Sequence, residues 1–135
     1  MFTDMFGETR YKLGLHIHTI SARAEGLAKQ MEHRETYDVV IGRAVARLNL
    51  LDVLCLPFVK VGGIFLAMKG IAGFDEYQEA EIGIEKLGGR EEQSLQYDLH
   101  LLDQSEKRTL IQIRKEYKTP REFPRVFGAI KKRPL

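Results

Sequence analysis

The sequence predicts an α/β domain on a partly parallel sheet, and three stretches predict it. Between Tyr37 and Gly70 the order is strand, arginine-bearing turn, apolar helix, Gly-Gly turn and second strand, which is one parallel βαβ unit. From Phe74 to Leu87, Tyr77, Ala80, Ile84 and Leu87 recur at helical spacing among acids, and Gly88-Gly89 closes the pattern. Gln93 to Leu99 and Thr109 to Arg114 then alternate or run apolar on either side of Asp103 to Glu106, as an antiparallel strand pair does.

Taken in order, Met1 to Tyr11 has no clean period, and Gly14 reads as the stop of a short helix. His16 to Ile20 alternates and predicts a strand; Glu25 to Gln30 predicts a polar helical turn. Tyr37, Val39, Val40 and Ile41 are apolar on both faces, which predicts a strand buried on both sides. Ala44, Leu48, Leu51, Leu54 and Cys55 step by three or four, predicting a helix from Ala44 to Leu56 that Pro57 ends, because the residue before proline is pushed out of helical geometry. Gly62 and Gly63 predict a tight reversal, and Ile64 to Met68 a second buried strand. A crossover between parallel strands is right-handed in nearly all cases, and open α/β sheets bind ligands beyond the carboxyl ends of such strands. That points to Gly42, Arg43 and Arg47 after one strand and Lys69 and Gly70 after the other.

The 135 residues make one domain at most, short for a complete doubly wound enzyme. The expected division is a poorly defined segment 1–11, a main domain 12–117 and a basic tail 118–135. The net charge of +2 is unevenly spread: from Lys107 onward there are 10 Lys/Arg against 2 Asp/Glu. Three prolines and little periodicity make the tail an extended, partly ordered segment. One cysteine, Cys55, excludes a disulfide framework or a multi-cysteine metal site. No apolar run approaches the roughly 20 residues of a membrane span, and there is no basic-then-apolar leader, so a cytosolic, reducing compartment is expected.

Several chemistries lack their motif. There is no Gly-x-Gly-x-x-Gly loop after a strand, no P-loop, no Gly-x-Ser-x-Gly elbow and no Cys-x-x-Cys. His16-x-His18 could place two metal ligands on one strand face, but without a nearby third ligand no metal is assigned. Three features stand out. Ala24-Glu25 follows a strand end, where a carboxylate and a backbone amide can hydrogen-bond an adenine; a solvated acid at a helix start is the alternative. Arg43 follows the next strand, placed for a carboxylate or phosphate or else a surface salt bridge. The basic tail suits a polyanion, whose neutralised phosphates release counterions, or simply aids solubility. Together these lean toward RNA.

One ordered set of residues resembles a known family. Arg23-Ala24-Glu25, Tyr37-Asp38-Val39-Val40, Arg43-Ala44-Val45-Ala46-Arg47-Leu48, Leu56-Pro57-Phe58-Val59-Lys60-Val61-Gly62-Gly63, Ala67-Met68-Lys69-Gly70, Leu87-Gly88-Gly89, Ile113-Arg114-Lys115 and Thr119-Pro120 with Phe123-Pro124-Arg125 follow one another. In this order they resemble the bacterial 16S ribosomal RNA guanine-N7 methyltransferases (methyltransferase G, glucose-inhibited division protein B) from about Lys12 to Leu135. Gly42 departs from the family's usual alanine, and Phe127, Ala129 and Ile130 from its Pro and Thr-Pro pattern.

The resemblance implies a Rossmann-like methyltransferase sheet, S-adenosyl-L-methionine as cofactor and a guanine of 16S ribosomal RNA, in the small ribosomal subunit, as acceptor. It places Ala24 and Glu25 at the cofactor's adenosine end and Arg43 in the cofactor pocket. Arg47, Lys69 and Arg114 are candidates for holding RNA; ordinary salt bridges are the alternative for all three. Guanine N7 has a lone pair, so its methylation needs alignment more than a base, and no catalytic residue is assigned. Family members carry some seventy or more further residues at the front, with the glycine-rich cofactor loop and the first strands. The chain is therefore expected to correspond to the C-terminal part of such an enzyme, to leave a sheet edge exposed or pair its strands differently, and to bind the cofactor weakly or not at all. Either it methylates ribosomal RNA or it is a non-catalytic, RNA-binding remnant.

Overall fold

The computed structural model of the chain describes residues 12–43 and 46–135, with only the backbone at Phe127. The segment before Lys12, and Ala44-Val45 at the expected helix start, lie outside the described residues. The elements run in the order α1 (Ala24–Leu27), β1 (Tyr37–Arg43), α2 (Leu48–Cys55), β2 (Val59–Lys69), α3 (Gly73–Lys86), β3 (Gly89–Glu91), β4 (Leu95–Leu101), β5 (Gln104–Lys115) and α4 (Phe127–Lys132). β1 and β2 are parallel and joined through α2, which is the predicted βαβ unit. β5 returns antiparallel along the other edge of β2 and pairs on its far side with β3 and β4, which lie end to end.

Register decides which side chains share a face. Phe65 is opposite Ile113, Ala67 opposite Ile111 and Lys69 opposite Thr109, and all six are buried. Against them pack Leu48, Leu51 and Leu56 from α2 and its exit, and Ala80 and Ile84 from α3. Each large side chain so buried contributes roughly 1.5–3 kcal/mol. The opposite face carries Val39, Ile41, Met68, Leu95, Tyr97 and Leu99, all 37–62% exposed. Among the described residues no helix covers it.

This one-sided packing overturns the expectation that β1 is buried. The strand forms, but only Gly42 in it is fully buried. Its outer edge has no partner strand among the described residues, and one face is open. His16 to Ile20, whose alternation predicts a strand, adopts no regular structure. α2 begins only at Leu48, later than its periodicity predicts, and ends at Cys55, where Pro57 turns the chain into a 3-10 turn, Leu56–Phe58. Gly62 and Gly63 do not reverse the chain. β2 runs through both, and between Tyr37 and Val39 the register with β1 jumps from Val59 to Ile64, a bulge in one continuous strand. Gly62 has φ +87, and a Cβ on Gly63 would come within 2.7 Å of the Asp38 carbonyl oxygen, so the glycines serve the bulge.

The tail also differs. Charge and proline content predict an extended segment, but α4 forms and its Ile130 is fully buried. Arg34 holds the approach to it, donating to the carbonyl oxygens of Phe123 (2.7 Å), Thr119 (3.0 Å) and Pro120 (3.1 Å). Thr119 Oγ1 donates to the Leu87 carbonyl at 2.7 Å. Lys115, fully buried, donates to the carbonyls of Leu56 (2.8 Å) and Val59 (3.1 Å), tying β5 to the turn between α2 and β2.

Candidate functional site: a cationic cleft at the strand ends

β1 and β2 end side by side, with Arg43 opposite Met68 in the register. Beyond them opens a cleft of about 370 Å³ lined by Arg43, Arg47, Lys69, Arg108, Glu76 and Tyr97, together with Leu99 and Met68. Four cations face one carboxylate. Four of the five residues that the sequence places after the two strands, Arg43, Arg47, Lys69 and Gly70, are thus brought to one cavity.

They are not equivalent there. Lys69 is buried; its ammonium donates to the Ala46 carbonyl and lies 3.0 Å from Glu76 Oε2. Glu76 Oε2 also accepts the Leu48 amide of the first turn of α2 at 2.9 Å, one of the N–H groups a helix start leaves unpaired. Lys69 and Glu76 therefore tie β2, α3 and the start of α2 together below the cleft. Arg47 pairs with Glu79 of α3 at 2.6 Å, and that hydrogen bond and charge hold its guanidinium more basic than usual. Arg43 is exposed and its guanidinium makes no hydrogen bond or ion pair among the described residues.

Below the cleft lies Asp52, fully buried on α2. Its Oδ1 accepts the Val53 amide at 2.6 Å, while Oδ2 has no partner. Burial pushes its carboxyl up to about 8, against the opposing pull of the amide hydrogen bonds and Lys69. Burial, and then Asp52, push the Cys55 thiol up to about 12, leaving it inert beside Gly42.

The other expected residues lie elsewhere. Ala24 and Glu25 are on α1, which packs against α2, and they do not line the cleft. Burial would raise the Glu25 carboxyl, but the hydrogen bond from Arg23 Nε at 2.5 Å and its own backbone amide hold it below the usual range. Arg114 sits near the bulge, donating to Glu92 Oε2 (2.8 Å) and the Gly62 carbonyl (2.9 Å). Tyr97 and Arg108 were not singled out by the sequence; the signal available was an aromatic residue in a strand that alternates apolar and polar beside the basic stretch. Among the described residues no group of three or more His, Cys, Asp or Glu is arranged for a metal ion.

The mixed α/β sheet is of the Rossmann-like kind found in methyltransferases, and the structure shares this fold with an rRNA methylase from Streptococcus thermophilus. The TM-score is 0.57 at 18% identity, over 85% of this chain and 68% of that one. The chain belongs to the rRNA small subunit methyltransferase G family, whose GidB model matches residues 7–98. Ribosomal RNA small subunit methyltransferase G of Halalkalibacterium halodurans is 48% identical over 113 residues, 84% of this chain and 47% of the relative. The protein of the same name from Clostridium botulinum (strain ATCC 19397 / Type A) is 40% identical over 131 residues, 97% of this chain and 53% of the relative. The chain thus spans about half the length of the curated relatives it matches.

Proposed function

We propose that the chain serves S-adenosylmethionine-dependent methylation of guanine N7 in 16S ribosomal RNA, and that the cationic cleft is the part of the site it contributes. The observation that carries this reading is Arg43: in a chain of this family, a guanidinium without an ion pair among the described residues stands at the end of β1, on a cleft whose other cations are already held by Glu76, Glu79 and Glu106. A guanidinium matches a carboxylate in a two-pronged geometry that an ammonium cannot offer. The methionine carboxylate of the cofactor supplies that partner.

The adenosine end fits less well. Ala24 and Glu25, which the family resemblance assigns to it, are not brought to the cleft, and Glu25 is engaged by Arg23. The described residues therefore fit one end of the cofactor, which when bound supplies the methyl group on its sulfonium. What the chain's own residues do is bind and orient: Arg43 takes the carboxylate, Arg47 and the Lys69–Glu76 pair fix the cleft wall, and Arg114 stands apart, on another part of the surface, as an RNA contact. Guanine N7 needs placement in line with the methyl group and no general base. A cytoplasmic location, where 16S ribosomal RNA and the small subunit are found, belongs to the same proposal.

A second reading, a non-catalytic RNA-binding module, is favoured by the separation of Glu25 from the cleft. Calorimetric titration of the folded chain with S-adenosylhomocysteine separates the two. The methyltransferase reading expects weak, saturable binding that Arg43→Ala abolishes. Salt-sensitive RNA binding with no affinity for S-adenosylhomocysteine would leave the second reading standing.

A further inference from the structure

β2 ends at Lys69, whose partner on β5 is Thr109, and Thr109 in turn pairs with Gln96 on β4. The five pairs beyond that point, from Tyr97–Arg108 to Leu101–Gln104, therefore continue past the end of β2 as a two-stranded arm about 17 Å long. Its tip is Leu102, fully exposed with φ +50. Because side chains alternate, Tyr97, Leu99 and Leu101 share one face of the arm, and Asp98 and His100 the other. Asp98 pairs with Lys107 at 3.1 Å on that polar face. The apolar face has no cover among the described residues, yet Tyr97 and Leu99 line the cationic cleft together with Arg43 and Arg108. Among the described residues Arg108 is held by Glu106 alone, in a half-exposed pair of the kind worth little, so a phosphate can replace that carboxylate.

A tyrosine ring and an apolar neighbour flanked by arginines, at the mouth of a cleft, match the chemistry of one unpaired nucleotide. The ring takes the base by its face, and the Arg108 guanidinium takes the backbone. Holding a guanine by its face also leaves its N7 edge uncovered. We propose that the β4–β5 arm is the acceptor platform, with Tyr97 stacking on an unpaired base of single-stranded RNA and Arg108 holding the adjoining phosphate. The inference rests on the RNA reading above and names the residues that would receive the acceptor.

The test is fluorescence titration of the full chain with a short single-stranded RNA carrying 2-aminopurine beside a guanine, at fixed salt. Tyr97→Ala is expected to weaken binding about 5- to 100-fold and remove the stacking quench, the range found for loss of one stacked base. Tyr97→Phe keeps the ring and should stay within about two-fold of the parent; it also controls for loss of the arm's fold, as does circular dichroism of Tyr97→Ala. His100→Ala, on the opposite face, should bind as the parent does. If RNA binding falls with salt and with Arg114→Ala but not with Tyr97→Ala, the arm is refuted and the RNA reading stands. Equal binding of a fully paired RNA duplex would also refute the stacking platform. If the chain binds no RNA at all, both fall.

Discussion

Asp52→Asn probes the ground below the cleft. The parent carboxyl is fully buried, one oxygen has no partner, and its pKa is raised from the usual carboxylate range to about 8. The folded state therefore holds a proton that the unfolded chain releases above pH 4. With the folded pKa above the unfolded one, this group's stabilising contribution is fully present below pH 4 and is lost as pH rises toward 8. Between those limits the slope is about −1.4 kcal/mol per pH unit, so roughly 2–3 kcal/mol disappear between pH 5 and pH 7. Asparagine has nearly the same shape, and its nitrogen can occupy the unpartnered position without ionising. In urea unfolding at pH 5, 6, 7 and 8, the stability of Asp52→Asn relative to the parent should rise by about 1.4 kcal/mol per pH unit up to pH 7 and by less between pH 7 and pH 8, where the folded carboxyl itself ionises. A difference that stays constant across that range would refute the reasoning, because it would mean that Asp52 ionises normally in the folded protein.

Other perturbations follow from the same contacts. Arg34→Ala removes the donor from three carbonyls of the segment leading to α4; a loss of about 2–4 kcal/mol in urea unfolding is expected, with faster proteolytic release of the tail. Gly88→Ala places a Cβ 2.1 Å from the Tyr117 carbonyl oxygen at φ +91, and should cost more than about 3 kcal/mol or prevent folding, read by thermal unfolding. Burial lowers the Lys115 ammonium to about 8 despite Glu35, so the folded state sheds its proton before the unfolded chain does; its penalty is present below pH 8 and eases as pH rises toward 10.5. Lys115→Met should flatten that alkaline rise and, at neutral pH, cost about 1–3 kcal/mol for the two charge-assisted hydrogen bonds to Leu56 and Val59 that it removes.

The local patterns in the sequence were informative where the element supplies its own reason to form. The periodicity of Phe74 to Leu87 gave α3, and Pro57 marked the end of α2, because helix stripes and proline geometry act within a few residues. The βαβ order likewise carried Arg43, Arg47 and Lys69 to one cleft, since a parallel pair puts both strand ends on the same side. What was not legible depends on partners distant in sequence. The alternation of His16 to Ile20 cannot say whether a neighbouring strand is there, and the apolar run of β1 cannot say whether its second face is covered. Gly62-Gly63 looks alike in a turn and in a bulge, and only the register with β1 distinguishes them. The tail looked solvated because its charges dominate its composition, while a single arginine 85 or more residues earlier and one isoleucine, Ile130, dock it. Tyr97 and Arg108 escaped notice because their meeting with Arg43 depends on where β5 inserts into the sheet.

The most direct test of the account is the methylation state of 16S ribosomal RNA in cells lacking this chain, read by nuclease digestion and mass spectrometry. The account predicts the loss of one N7-methylguanosine, restored by the parent chain and not by Arg43→Ala. An unchanged N7-methylguanosine content in the deleted cells would contradict it.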